Sequence, residues 1–224
     1  MTTGTDPIEA RRVKEERAFW SRIAPKYDDW VSTAFRDQYR TIRPLVTGTV
    51  GPEDDVLELG TGTGDIAFHL AGRARSVIGV DISPEMIDVA STKLEGGGPS
   101  NVEFQVADAY ALPFDDQTFD RVVCVNALQV MKDPATAIKK AWRVLKEGGE
   151  FVSVTYMFGD SGPWETIKLT RWVIRLGMPR YWSNLKADRL KAMFEGQGYR
   201  IQEEEWVWQG PKVLFLRAWK PVTL

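Results

Sequence analysis

Three glycines stand at alternate positions directly after a short apolar segment, in the run from Val56 to Asp65. Glycine at such positions permits positive φ angles and lets a ligand approach the backbone, because no Cβ stands in the way. A tight structural turn between a strand and a helix is the alternative interpretation of the same residues. Three alternating glycines after an apolar strand favour a turn that binds a ligand.

The residue after the third glycine indicates which kind of ligand the turn accepts. The dinucleotide-binding fingerprint G-x-G-x-x-G requires a glycine where this chain has Asp65, and its pyrophosphate lies on the helix N-terminus. A carboxylate at that place would repel a pyrophosphate. The pattern therefore favours a cofactor without phosphate and with a positive centre. S-adenosylmethionine (SAM) carries a sulfonium and an ammonium, and fits this description.

Acidic residues also end the next two predicted strands. Asp81 lies about 20 residues past the glycine turn, the separation at which an acid accepts hydrogen bonds from ribose hydroxyls. Helix capping is its alternative role, but Ser83 is better placed for that. Asp108 follows the strand 102–106, and a strand's carboxyl end faces the crevice where doubly wound sheets bind ligands. We therefore expect Glu58, Asp81 and Asp108 to meet around one ligand.

Predicted strands and helices alternate through most of the chain, which indicates parallel β-α-β units. Short apolar runs predict the strands, and apolar residues at helical spacing predict the helices. Two helices are also predicted to begin at a capping residue followed by proline, at Ser83-Pro84 and at Asp133-Pro134. The fold class is α/β, with a doubly wound, mostly parallel, seven-stranded sheet, N-terminal helices, a helical insertion and an antiparallel C-terminal hairpin. The predicted strands are 56–59, 77–80, 102–106, 121–125, 151–156, 201–208 and 213–219, and the predicted helices are 8–22, 33–47, 65–73, 84 onward, 134–148, 162–177 and 184–197.

The length of 224 residues suits one domain, with its parts in a fixed order along the chain. We predict a single domain over 1–224, in which 1–50 forms an N-terminal helical lid and 51–157 the cofactor-binding core. Residues 158–183 form the helical insertion, and 184–224 the C-terminal helix and hairpin.

The composition of the chain argues against several classes of binding partner. The chain is 43% hydrophobic and 27% charged with a net charge of -2, so no broad basic field indicates a nucleic acid partner. No apolar run approaches the roughly 18 residues that a membrane span needs, so stable membrane insertion is not expected. The single cysteine, Cys124, fits a reducing compartment, and with no signal peptide pattern a cytoplasmic location is expected. No His/Cys cluster suggests a metal.

At this point the chain resembles the class I SAM-dependent methyltransferases, with their Rossmann-like fold. Within that family it is most similar to the UbiE-like type of ubiquinone and menaquinone biosynthesis. The resemblance covers about residues 19–157. It rests on Ile23 to Asp28, Glu58-x-Gly60-x-Gly62-x-Gly64, Val80 to Met86, Ala107-Asp108-Ala109, Leu112-Pro113-Phe114, Phe119-Asp120 and Arg143 to Gly149.

The resemblance implies a role for each matched position of the first two motifs. Gly60, Thr61 and Gly62 would approach the methionine part and the ribose of SAM. Glu58 would fix the turn or reach the ammonium through water. Asp81 would hold the ribose hydroxyls. The reaction product would be S-adenosylhomocysteine.

The later motifs imply contacts with adenine and with the amino acid part. Ile82 and Met86 would cover the adenine, whose amino group would donate to Asp108 beside the backbone amide of Ala109. The carbonyl of Asn126, at the end of the fourth strand, would lie near the methionine ammonium, and Tyr27 would close the site.

One departure from the family concerns the catalytic base. Many relatives have a histidine where this chain has Gln129, and the only histidine, His69, is predicted to be structural. The tetrapeptide of amide-nitrogen and adenine methylases is absent, because Val125 to Leu128 occupies its place. No catalytic residue is assigned; the candidates near the mouth of the site are Tyr27, Asp28, Asp29, Tyr156 and Asp160.

The acceptor is expected to be a small molecule, bound between the N-terminal helices and the aromatic-rich insertion. A quinone-like or isoprenoid acceptor is the leading hypothesis. N-methylation of an amine or phospholipid headgroup, a SAM-binding sensor without turnover, and a nicotinamide-dependent dehydrogenase are the alternatives. The sequence leaves the acceptor atom and the oligomeric state open.

Overall fold

A computed structural model describes residues 7–162, 164, 167, 181 and 183–222. Its centre is one seven-stranded sheet with the order β3-β2-β1-β4-β5-β7-β6. The strands are β1 (Asp55–Leu59), β2 (Ser76–Asp81), β3 (Val102–Val106), β4 (Phe119–Val125), β5 (Leu145–Tyr156), β6 (Arg200–Gln209) and β7 (Lys212–Trp219).

The direction of the strands follows the sequence prediction. β1 to β5 pair in parallel, whereas β7 is antiparallel to both β5 and β6. The two-residue link from Gln209 to Lys212 forms the expected hairpin. The doubly wound, mostly parallel sheet with an antiparallel end is confirmed.

Seven α-helices lie within the described residues. The helices Arg36–Thr47 and Asp65–Ala71 pack on one face of the sheet, and the helices Pro134–Val144 and Ala187–Gln197 pack on the other. Adjacent strand residues such as Val122 and Val123 are therefore both buried, as parallel strands covered on both faces require. The helices are α1 (Pro7–Ile23), α2 (Tyr27–Ala34), α3 (Arg36–Thr47), α4 (Asp65–Ala71), α5 (Pro84–Glu95), α6 (Pro134–Val144) and α7 (Ala187–Gln197).

Two helix starts were predicted from capping residues, and both are confirmed. The Ser83 hydroxyl accepts a hydrogen bond from the Met86 amide at 3.3 Å. The Asp133 carboxylate accepts one from the Thr136 amide at 3.2 Å. In each helix a proline occupies the first turn, where no backbone donor is needed.

Two predicted helix boundaries are wrong. The segment 33–47 is not one helix, because Phe35 leaves the helical region at φ -122° and ψ 11° and separates α2 from α3. α6 ends at Val144 instead of continuing to Gly148, because Leu145 is extended and pairs with Phe119 in the sheet. The predicted helix 162–177 lies outside the described residues except for Trp164 and Ile167. The domain division stays a prediction.

The order of the strands determines where a ligand can bind. β1 lies at the centre, with β2 on one side and β4 on the other, so the chain reverses its winding direction between β1 and β4. Ligands of doubly wound sheets bind outside the carboxyl ends of the strands at such a point. In the part of the chain that the structure describes, no helix combines the length and the apolar character of a membrane span.

Candidate functional site

A cleft opens at the carboxyl ends of β1 to β4, beneath α1. Nine of the eleven residues predicted to bind the cofactor line it. These nine are Tyr27, Gly60, Gly62, Asp81, Ile82, Met86, Asp108, Ala109 and Asn126. The sheet thus brings residues from distant parts of the chain together, although their contacts with a cofactor stay a prediction.

The glycine turn forms the floor of the cleft. The amides of Gly60 and Thr61 both donate to the carbonyl of Val80, at 2.8 and 3.0 Å, which fixes the turn to the end of β2. Gly60 has a φ of +68°, and a Cβ there would lie 2.6 Å from the Cβ of Ala127. No side chain fits at position 60 without a shift of the segment after β4.

The two remaining predicted residues, Glu58 and Thr61, do not line the cleft. Glu58 is 2% exposed, and its Oε2 accepts a hydrogen bond from the Thr61 hydroxyl at 2.6 Å. Burial raises the pKa of Glu58 to about 8. Of the two roles considered for Glu58, this geometry supports fixing the turn.

Asp81 connects the glycine turn to the start of α5. Its Oδ2 accepts from the Gly62 amide at 3.0 Å, and its Oδ1 accepts from the Ser83 amide at 2.9 Å. Burial raises its pKa to about 6, although these backbone donors favour the ionised form. The carboxylate is therefore held rigidly, and its residue borders the cleft.

Asp108 has a partner that the sequence analysis missed. The guanidinium of Arg12, from α1, forms a short ion pair with the Asp108 carboxylate and lies 4.1 Å from the centre of the Tyr110 ring. Arg12 also donates to Glu9 and Glu16 at 2.7 Å each, and it is only 1% exposed. This contact fastens α1 over the third strand-end acid.

Glu16 and Trp20 join Arg12 in lining the cleft. The spacing of four residues places all three on one face of α1. Burial raises the pKa of Glu16 to about 7. The four-residue spacing is visible in the sequence, but the packing of α1 against residues almost a hundred positions away is not.

Tyr27 reaches the cleft from the start of α2, as expected. Its ring lies 3.6 Å from the place where a Cβ on Gly62 would stand. Burial raises the pKa of Tyr39 of α3 to about 12, and the side chains of Asn126 and Tyr27 lie close enough to its hydroxyl to influence that pKa. Tyr27 and Tyr39, from the N-terminal helices, therefore lie near Asn126 at the end of β4.

Four of the five candidates for a catalytic base do not line the cleft. Asp28 binds the Thr63 hydroxyl and Lys93, and Asp29 is exposed. The Tyr156 hydroxyl donates to Gln38 at 2.6 Å, and Asp160 accepts from the Ala187 amide at 2.7 Å. Tyr27 is the candidate that lines it. His69 is exposed, on α4, in agreement with a structural role.

Comparison with known proteins identifies a family. Residues 56–149 match the family model described as "Methyltransferase domain". The chain is 33% identical over 188 residues to the chloroplastic 2-phytyl-1,4-beta-naphthoquinone methyltransferase of Arabidopsis thaliana. This match covers 77% of the chain and 71% of the relative. It is 38% identical over 109 residues to a phosphatidylethanolamine N-methyltransferase of Cereibacter sphaeroides, covering 48% of this chain and 53% of that protein.

A third relative has a solved structure. The uncharacterized methyltransferase YcgJ of Bacillus subtilis is 38% identical over 112 residues, and the match spans half of this chain but only 44% of the relative. The YcgJ crystal structure superposes with a TM-score of 0.68 at 22% identity, covering 83% of this chain and 100% of that chain. This superposition shows that the two chains share a fold.

Proposed function

The chain belongs to the UbiE-like class I SAM-dependent methyltransferases, and we propose that it transfers the methyl group of SAM to a small apolar or aromatic acceptor. The cofactor would lie in the cleft over the glycine turn. The acceptor would enter from the side of the N-terminal helices.

The charge of the cleft is the observation that carries this proposal. Among the described residues that line it, Arg12 is the only lysine or arginine, and it is paired with three carboxylates. Asp81, Asp108 and Glu16 also line the cleft. An excess of carboxylates disfavours the pyrophosphate of a nicotinamide dinucleotide, whereas it suits a cofactor with a sulfonium and an ammonium.

A second polar feature also fits the amino acid part of SAM. The amide oxygen of Asn126 is buried and has no hydrogen-bond partner among the residues that the structure describes. Buried polar atoms are almost always satisfied, so an orphan acceptor in a residue that lines a cleft calls for a donor. An ammonium group supplies three such donors.

Methyl transfer needs alignment more than it needs acid-base chemistry. When bound, SAM supplies a methyl group on a positively charged sulfur, and its transfer is an in-line displacement. The rigid turn and the packed lid would hold the reacting atoms in line, and positioning of this kind can supply about 7–11 kcal/mol. Apolar side chains from α1, from β4 and from the segment after β4 line the cleft and would exclude water: Trp20, Val125, Ala127, Val130 and Met131.

A transfer assay with methyl-tritiated SAM tests the proposal. The protein is incubated with a total lipid extract, and the label is then extracted into organic solvent and separated into quinone and phospholipid fractions. We expect label in the quinone fraction, and far less label with an Asp81→Ala variant when SAM is below saturation. Label in the ethanolamine headgroup would support the N-methyltransferase alternative, which the Cereibacter sphaeroides relative suggests. Binding without any transfer would contradict the enzymatic proposal.

Arg12 is expected to weaken cofactor binding, because its guanidinium occupies the carboxylate that the adenine amino group would use. We expect Arg12→Gln to tighten the binding of S-adenosylhomocysteine by about fivefold, within the usual range for coupling between a ligand and an internal contact. Calorimetric titration measures this change.

Arg11→Gln is the matched control for the Arg12 variant. Arg11 carries the same charge on the same helix, but its side chain is 72% exposed and forms an ion pair with Glu15 outside the cleft. The control should leave the dissociation constant unchanged. Weaker binding by Arg12→Gln would contradict the prediction and show that Arg12 contacts the cofactor directly.

A further inference from the structure

Three large apolar side chains are exposed near the end of β5 and the tip of the β6–β7 hairpin. Trp164 is 77% exposed, Ile167 47% and Trp206 38%. None of these three described residues lines the cleft over the glycine turn. Exposed apolar side chains that lie close together mark a place of contact with a partner or with a membrane.

The segment that follows β5 is fastened to the tip of the hairpin. The Met157 amide donates to the Lys212 carbonyl at 2.9 Å, and the Ser161 hydroxyl accepts from the Lys212 amide at 3.0 Å. The Nζ of Lys212 also lies 5.3 Å from the centre of the Trp206 ring. Trp164 follows Ser161 by three residues, a length of chain that spans at most about 11 Å. Trp164 and Trp206 therefore lie at the same corner of the molecule.

This corner lies on the edge of the sheet where the cleft opens. Tyr156 at the end of β5 pairs with Val213 at the start of β7, and β5 is parallel to β4. The hairpin tip is therefore at the carboxyl ends of the parallel strands. The N-terminal helices reach the same place, because the Tyr156 hydroxyl donates to Gln38 of α3 at 2.6 Å.

The segment that carries the exposed rings is basic. Residues 157–186 include five lysines and arginines but only two acidic residues, although the whole chain has a net charge of -2. Lys186 is exposed and lies against Gly159, and Lys212 lies over the Trp206 ring. Tryptophan rings together with basic side chains are typical of surfaces that bind the interface of an anionic lipid bilayer.

The acidic residues of β6 do not cancel this charge. Glu203 and Glu204 each lie within 4.0 Å of a basic side chain, which compensates them. Glu205 precedes Trp206 in the strand, and its side chain points to the opposite face because side chains alternate along a strand. The charge beside the exposed rings is therefore positive.

We propose that a rim patch, formed by Trp164, Ile167, Trp206, Lys186 and Lys212, docks the chain on a membrane surface that contains anionic phospholipids. The rings would enter the headgroup region, and the lysines would contact lipid phosphates. Docking itself does not depend on the proposed function. Its consequence rests on that function: the cleft would open beside the bilayer, so that an apolar acceptor would enter it without crossing water.

Flotation of the full chain with vesicles, without SAM or acceptor, tests the docking. One set of vesicles contains phosphatidylcholine and phosphatidylglycerol in equal parts, and the other contains phosphatidylcholine alone. We expect the protein to float with the anionic vesicles and to remain in solution with the neutral ones. Salt at about 1 M should release it from the anionic vesicles, because the Debye length falls to about 3 Å.

Variants of the rim patch should bind these vesicles more weakly. Trp164→Glu and Trp206→Gln should each lower the partition coefficient about 10-fold, as for the loss of one buried apolar side chain. Lys186→Gln should lower it about fivefold, as for one basic residue near an anionic surface. Chemical denaturation of each variant checks that the fold is intact.

Trp219→Gln is the matched control for Trp206→Gln. Trp219 is 37% exposed, close to the value for Trp206. It pairs with Glu150, six residues before Tyr156 on β5, and so lies about 20 Å from the carboxyl edge of the sheet. The control should leave vesicle binding unchanged.

Three results would overturn the docking proposal. The first is equal binding to neutral and anionic vesicles, and the second is unchanged binding by both tryptophan variants of the rim patch. The third is a dimer in sedimentation velocity that Trp164→Glu dissociates, without vesicle binding, which would make the patch an interface between two copies. Because neither SAM nor acceptor is present, none of these results bears on methyl transfer, which the tritium assay tests separately.

Discussion

An Asp81→Ala variant is expected to bind S-adenosylhomocysteine at least about 100-fold more weakly than the unmodified protein. The carboxylate would accept two ribose hydroxyl hydrogen bonds, and each bond to a charged group contributes about 1.5–3 kcal/mol when its partner is buried. The loss should be similar for SAM and for 5′-methylthioadenosine, because all three share the ribose. Calorimetric titration of the three ligands measures it.

Two further variants separate the ribose contact from charge and from structure. Asp81→Asn keeps one acceptor oxygen for the Gly62 and Ser83 amides, which donate to the carboxylate of the unmodified protein. We therefore expect a smaller loss of affinity, about 10-fold. Asp88→Ala removes an exposed carboxylate from α5, the helix that follows Asp81. It should leave the affinity for all three ligands unchanged. Undiminished binding by Asp81→Ala would contradict the assignment of the ribose site.

Gly60→Ala is expected to abolish measurable cofactor binding and to destabilise the fold. The new methyl group would lie 2.6 Å from the Cβ of Ala127, and the residue would keep a φ of +68°. The backbone conformation alone costs an alanine about 1–2 kcal/mol, and the clash forces the turn or the segment after β4 to move. Chemical denaturation and calorimetric titration measure the two effects.

Gly97→Ala is the matched control for that substitution. Gly97 also has a positive φ, of +109°, but a Cβ there meets no atom within 4 Å. The control should lose about 1–2 kcal/mol of stability and keep full cofactor affinity. Equal effects of the two variants on binding would show that the glycine turn does not approach a ligand.

The sequence predicted the parts of the site that depend on local patterns. Gly60 and Gly62 follow an apolar strand, and Asp81 and Asp108 each end or follow one. Because parallel strands end at the same edge of the sheet, knowing the strand ends was enough to group these residues. A local pattern, serine followed by proline, likewise predicted Ser83 correctly as a helix cap.

The depth of a residue in the site could not be predicted in this way. Glu58 also lies near the carboxyl end of a strand, β1. Its side chain points beneath the glycine turn, where it accepts a hydrogen bond from the Thr61 hydroxyl. Side chains of a strand alternate between faces, and both faces of this sheet are buried, so the hydrophobic pattern carries no signal for direction.

Contacts across the chain were also beyond the sequence. Arg12 meets Asp108 over a separation of 96 residues, and nothing in the charged run of α1 distinguishes it from Arg11. The boundaries at Phe35 and Val144 depend on packing and on strand pairing, which override local helix propensity.

A crystal structure of the protein with S-adenosylhomocysteine tests most directly the claim that the cleft holds this nucleoside. We predict the ribose hydroxyls within about 3 Å of the Asp81 carboxylate, the adenine amino group at Asp108, and the Arg12 guanidinium moved away from it. A nucleoside bound elsewhere, or one whose ribose does not contact Asp81, would contradict the account.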